Sequence, residues 1–204
     1  MTKAYIASYG EKEKMGIYCL DIDENTLNMT LYEHLLTSDY PSYLIRKHDL
    51  LYASLKNATG QNTHGGVASY KISPDGHLAL NDNYASSGRS YTHLCISDDD
   101  RYLFAANYHV GTTAAYALNE HKVSKKVSVV HHQGHGPDPK QRQLSPHAHC
   151  VGFTPDKKFV YSVDLGSDKI VLYSYEGAKL QSVREQAVVP GSGPRHMIFS
   201  QDGH

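Results

Sequence analysis

Two histidines, His147 and His149, stand one residue apart in LSPHAHCVGF, and GSGPRHMIF places Arg195 46 residues beyond His149. An imidazole with an unperturbed pKa near 6.5 can take and return a proton at neutral pH. A guanidinium offers a planar fork for a carboxylate, a phosphate or a developing oxyanion. Histidines two apart on a strand share a face, which is also the spacing of a metal pair. Two nitrogens alone do not hold a catalytic metal, and a third ligand is needed. His131, His132 and His135 in VVHHQGHGPDPKQRQ are the candidates, but no acidic residue stands at ligand spacing. Acid/base or substrate-binding chemistry at His149 is therefore favoured over a metal pair and over a purely structural pair. His147 and Arg142 are the candidate substrate contacts, His149 and Arg195 the candidate catalytic residues, and no metal or cofactor is expected. The plain alternatives are an Arg195 paired with a turn aspartate and a solvated Arg142.

The elements that must position these residues are short strands. Alternating runs such as KAYIASY, GIYCLDI, GGVASYKI and KIVLYSY are separated by SPDG, SDDD and TPDKK, a strand-and-hairpin pattern. PSYLIRKHDLLYASL from Pro41, YTHLCISDDDRYLFAANY from Tyr91 and AHCVGFTPDKKFVYSVDL from Ala148 align, and PRHMIFSQDGH from Pro194 begins a fourth copy. Each copy continues into further alternating runs, so the repeated unit is four antiparallel strands. The copies start 50, 57 and 46 residues apart. A β-sandwich would not repeat a four-strand phrase in register, so the expected class is an all-β propeller. The approximate units are 1–40, 41–90, 91–147, 148–193 and 194–204. The last stops inside a Gln-Asp-Gly turn, so an incomplete, N-terminal portion of a longer propeller is expected, or a second chain that supplies the missing strands. An open edge strand would invite self-association.

In this alignment Ser42, Thr92, His149 and Arg195 share one position, the start of each unit's first strand. Innermost strands line a propeller's channel, which would bring His149 and Arg195 to one mouth. Asn107 and Asp164 match at the end of the second strand, where either residue type caps a tight turn, and Asp168 is expected to close its hairpin. Alternation would turn His196 away from Arg195's side, leaving it structural. The polar stretch QGHGPDPKQRQLSPHAH has the character of a loop that overhangs a site.

Composition excludes several functions. The 204 residues are 40% hydrophobic, enough for one domain with a core, and the net charge of −1 gives no basic field for nucleic acid or an anionic membrane. MTKAYIASYG lacks the apolar centre of a signal peptide, and no apolar run is long enough to span a bilayer. Cys19, Cys95 and Cys150 lie inside apolar runs, as free thiols of a cytoplasmic protein would. No Gly-rich phosphate loop, CxxC pair or GxSxG elbow is present.

SPHAHCVGFTPDKKFVYSVDLGSDKIVLY and GSGPRHMIFSQDGH, with RYLFAANYHVGTTAAYAL upstream, resemble the lactonase family of seven-bladed propellers along essentially the whole chain. That family includes propeller-type 6-phosphogluconolactonases and carboxymuconate cyclases. The resemblance implies about four of seven blades here and a lactone site at the channel mouth. It puts the family's site histidine on His149 and its site arginine on Arg195. A family glutamate and a second arginine would fall beyond the next hairpin, past His204. The implied partner is a phosphosugar lactone and the implied reaction is its hydrolysis. A carboxymuconate-type cyclase and a non-catalytic binding platform are the alternatives.

Overall fold

In the computed structural model, which describes residues 1–11, 13–37, 39–56, 64–86, 88–138, 142–200 and 202–203, the chain is built from strands. It divides into two compact units, Met1–Ser90 and Tyr91–His204. The first unit holds a three-stranded sheet of β1 (Thr2–Ser8), β2 (Gly16–Ile22) and β3 (Met29–Leu35). It also holds a four-stranded sheet of β4 (Pro41–Lys47), β5 (Leu50–Leu55), β6 (Gly66–Ile72) and β7 (Leu78–Ala85). In the second unit β8 (His93–Ile96), β9 (Tyr102–Asn107), β10 (Thr112–Asn119) and β11 (Lys122–His131) form one sheet. The other comprises β12 (Ala148–Phe153), β13 (Val160–Asp164), β14 (Lys169–Ser174) and β15 (Gln181–Ala187). Strands in every sheet follow chain order and pair antiparallel. The only helical turn among the described residues is a 3-10 turn at Glu176–Ala178, and none of them forms a helix able to cross a membrane.

Burial in the four-stranded sheets is greatest at the inner strands and least at the last. The second strands, β5 and β13, are buried throughout, as strands covered on both faces must be. The last strand, β15, reads QSVREQA and is exposed along its whole length, so charge and Gln guard the free edge. The core of the first unit gathers Ile17, Cys19, Leu51, Ala53, Ala68 and Tyr70. That of the second gathers Phe104, Val151, Val160, Val171 and Tyr173.

The Asp-bearing turns share one construction. Ser73, Ser97, Thr154 and Ser200 each donate a hydroxyl to the aspartate two residues on, Asp75, Asp99, Asp156 and Asp202. Three residues on, an amide returns to the main-chain oxygen of the same Ser or Thr: Gly76, Asp100, Lys157 and Gly203 at 2.8, 3.1, 2.9 and 3.0 Å. Each of those residues has positive φ, 94°, 58°, 59° and 76°. A short side-chain acceptor and one left-handed residue reverse the chain in a few residues, which is why SPDG, SDDD and TPDKK punctuate the sequence.

The last repeat differs from the expected strand. Residues 194–200 form no sheet pairing, although the turn after them is built like its counterparts. Met197 and Phe199 instead pack on Cys150, Tyr161 and Val163, and the Tyr161 hydroxyl donates to the Met197 carbonyl at 3.1 Å. Residues 139–141 of the overhanging loop, Gln201 of the final turn and the terminal His204 lie outside the described residues.

Candidate active site

Every candidate residue belongs to the second unit. His149 occupies a bulge: Ala148 pairs with Asp164 and Cys150 with Val163, so His149 has no partner across the ladder. Ser42 holds the same bulge in its own sheet, between Pro41 paired with Leu55 and Tyr43 paired with Ser54. Thr92 lies just ahead of β8, its amide bonded to the Ala106 carbonyl at 2.9 Å. The repeated position is therefore an irregularity at the head of the first strand, a common device for re-aiming a side chain. His147 precedes β12, which corrects the expectation of two histidines on one strand face: the bulge and the strand boundary intervene.

The approach to β12 is gripped from both sides. A Cβ on Gly166 would lie 1.9 Å from the Ser145 carbonyl oxygen and 2.8 Å from the His147 nitrogen. A Cβ on Gly111 would lie 2.5 Å from the Pro146 carbonyl oxygen. The fully buried Asp164 holds the same segment with one carboxylate. Its Oδ1 accepts from the amides of His147, Gly166 and Ser167 at 2.8, 2.8 and 3.1 Å. Its Oδ2 accepts from His132 Nδ1 at 2.7 Å. Burial alone would raise this carboxyl, but His132 and those amides hold it below the usual aspartate range. The turn role expected of Asp164 is present, with a buried histidine partner added. His132 Nε2 faces the hydroxyls of Thr113 at 2.9 Å and Tyr173 at 2.8 Å. Its ring is thus committed and does not serve as the third metal ligand considered for His147 and His149. Among the described residues no group of three or more His, Cys, Asp or Glu side chains has a metal-holding arrangement.

Tyr108 connects the two histidines. Its ring stacks on His147 with centroids 4.3 Å apart and planes 12° apart, and meets His149 edge-on at 6.0 Å. His147 Nδ1 donates to the Tyr108 carbonyl at 2.7 Å. His149 is also edge-on to His196, centroids 5.0 Å apart, and His196 lies 5.9 Å from His93. Strand alternation was expected to turn His196 away; without a strand at 194–200 it meets His149 instead.

His149 is half-buried, and its Nδ1 has no hydrogen-bond partner among the described residues. Burial lowers its pKa first, and the charges of His196, Arg195 and Arg142 lower it further, against a small opposing contribution from its own main chain. The lowered pKa favours the neutral imidazole, which lies within the field of two arginines. His93 is pulled down to about 4, by burial first and then by His196. Arg142 and Arg195 are both exposed. The structure thus brings His149, Arg195 and Arg142 into one electrostatic group, with His147 beside His149 through Tyr108.

Asp168 does more than close its hairpin. Its φ is 50°, as the turn requires, but its carboxylate reaches away: Oδ2 accepts from the Gly191 amide at 2.7 Å and Oδ1 from the Gly193 amide at 2.9 Å. Oδ1 also accepts from the Gln143 side-chain amide at 2.8 Å. Sequence reasoning missed His93, Tyr108 and Gln143, and it took His132 for a candidate metal ligand rather than the buried partner of Asp164. A signal existed for His93, which shares a repeat column with His196, one residue after the Thr92 and Arg195 position. No comparable spacing points to Gln143 or to the pairing of His132 with Asp164, since both residues arrive from connecting loops.

Four-strand meanders repeated in register define a β-propeller, with a bulged first strand presenting His149 at a candidate site. A family model described as "Lactonase, 7-bladed beta-propeller" matches residues 3–204, and the chain belongs to that family. It is similar to the Pseudomonas aeruginosa periplasmic gluconolactonase PpgL, at 31% identity and TM-score 0.87, covering 98% of this chain and 58% of that one. A Bacteroides fragilis protein provisionally described as a 6-phosphogluconolactonase matches at 27% identity and TM-score 0.86, again over 98% and 58% of the two chains. An uncharacterized protein of Staphylococcus aureus strain USA300 is 34% identical over 206 residues, 100% of this chain and 59% of its own. The chain thus spans about 59% of the length of such relatives.

Proposed function

We propose that this chain carries the histidine and arginine part of a lactone-hydrolysing site and that the natural substrate is a sugar δ-lactone, 6-phosphoglucono-1,5-lactone. The observation that carries this reading is His149: a half-buried imidazole whose pKa is lowered by burial and by the charges of His196, Arg195 and Arg142. A depressed pKa keeps the base unprotonated at neutral pH. Its buried Nδ1 leaves Nε2 to reach a water. Nε2 takes a proton from that water as the oxygen attacks the ring carbonyl carbon, and the carbonyl oxygen becomes an oxyanion. Arg195 stabilises that charge. Collapse breaks the bond from the carbonyl carbon to the ring oxygen, and the imidazolium returns its proton to the departing oxygen, giving the open hydroxy acid. Arg142 suits the substrate phosphate, and His147 Nε2 suits a sugar hydroxyl. Free, buried Cys19, Cys95 and Cys150 support a reducing compartment, the cytoplasm.

The test is turnover by the natural protein of three compounds, each measured above its spontaneous reaction. These are 6-phosphoglucono-1,5-lactone, the unphosphorylated gluconolactone and a carboxymuconate. Preference for the phosphorylated lactone supports the proposal. Preference for the carboxymuconate makes the arginines carboxylate holders of a cyclase. Turnover of none of them, with the protein folded, overturns the enzyme reading in favour of a binding platform.

A further inference from the structure

Arg142 and Arg195 lie far apart in sequence on connecting segments, yet both act on His149. Something must hold those segments. The segment before Arg195 is bound at Gly191 and Gly193 by the two oxygens of Asp168, with the Ser192 hydroxyl 3.5 Å from Oδ1. Pro194, with its fixed φ, carries that anchorage directly to Arg195. The segment bearing Arg142 is bound one residue on, at Gln143, which is 2% exposed. Its side-chain amide donates to Asp168 Oδ1 at 2.8 Å and to the Leu165 carbonyl at 2.7 Å. The Gln143 carbonyl accepts the Gly136 amide at 3.0 Å. The Asp168 main-chain oxygen also accepts the Val188 amide at 2.9 Å. One buried aspartate on the β13–β14 hairpin is thus the common anchor of both arginine-bearing segments. Burial works against its charge, but the Gly191 and Gly193 amides and Gln143 hold its carboxyl below the ordinary range, so it is an anion, able to accept all these bonds at once.

We propose that Asp168 is a positioning residue, which fixes Arg195 and Arg142 about His149 through bonds to Gly191, Gly193 and Gln143. The proposal rests on the reading of His149, Arg195 and Arg142 as the site, and it adds what sets their arrangement. Turn closure alone would not require this carboxylate to reach beyond its own hairpin.

The test is the NMR titration of the His149 ring in the full chain, its signal assigned by loss in His149→Gln. The groups acting on this ring are His196, Arg195 and Arg142, with His93 and Tyr108 also beside it. In Asp168→Asn the new amide nitrogen cannot accept the bonds made to one carboxylate oxygen, so the segments loosen and the arginine charges retreat. The His149 midpoint then shifts upward. Removing a negative charge by itself shifts a histidine downward, so the sign separates anchoring from direct electrostatics. An unchanged or lowered midpoint in the folded variant overturns the proposal, including the case of a lowered melting temperature alone. If Asp168→Asn does not fold, Gln143→Ala carries the test through the Arg142 segment, with the same upward shift expected and an unchanged midpoint overturning it. Lactone turnover does not enter this readout. An upward shift in a protein that opens no lactone keeps the role of Asp168 and removes the reaction; turnover with an unmoved midpoint does the reverse.

Discussion

At the scale of single residues, the fold withholds protons from two of its histidines. The folded-state pKa values of His93, at about 4, and of His149 both lie below the ordinary value of 6.5. Below pH 6.5 the unfolded chain therefore binds protons at these positions that the folded chain refuses, so stability falls as pH falls from about 6.5 toward 4. His93 alone accounts for up to about 3 kcal/mol across that window. Asp164 and Asp168 have lowered pKa values, so their contribution is intact above the unfolded aspartate value near 3.9 and fades only as pH drops further. Urea unfolding between pH 7 and 5 should show the slope due to the histidines, and His93→Gln should flatten it. The same slope in that variant would assign the protons elsewhere. His149 and Arg195 were legible as candidates because repeat register gave them one shared position. The buried pair of His132 and Asp164 was not, because 32 residues and a loop separate the partners and neither lies on a periodic face.

At the scale of elements, the first strand of each unit is specified by its irregular head as much as by its alternation. Alternation made β5, β9 and β13 readable, and Ser/Thr-x-Asp spacing made their turns readable. The bulges at Ser42 and His149 are invisible to a period-two pattern, which is why His147 and His149 looked like neighbours on one face. At 194–200 alternation does not give a paired strand: Met197 and Phe199 pack on Cys150, Tyr161 and Val163, and His196 meets His149. The close fit at Gly166 yields a prediction. Gly166→Ala would drive a Cβ into the Ser145 carbonyl and the His147 amide, costing about 1–3 kcal/mol and shifting the segment that leads to His149. Gly10→Ala, whose Cβ would meet nothing closer than 3.7 Å, should stay within about 0.5 kcal/mol of the parent. Equal melting temperatures for the two variants would mean that the 145–147 segment yields easily and does not set the site.

At the scale of the whole molecule, the sheets differ in one telling way. The first has three strands where the others have four, and its edge strand β1 is partly exposed along its length, with Ile6 53% exposed. An exposed strand edge that carries apolar side chains recruits strands. This chain should therefore self-associate with rising concentration, and Ile6→Lys should weaken that association in sedimentation velocity. Equal association of the two proteins would place the contact elsewhere. The propeller class was legible from repeats alone. Blade number was not, since it rests on family membership rather than on anything repeated within 204 residues.

The measurement that bears most directly on the central claim is the rate of 6-phosphoglucono-1,5-lactone opening by the natural protein and by its His149→Ala variant. Both rates are taken above the spontaneous rate, with folding checked in each. Loss of the base should lower kcat by about a hundredfold or more. An unchanged enzymatic rate in the folded variant would contradict the assignment of His149 as the base.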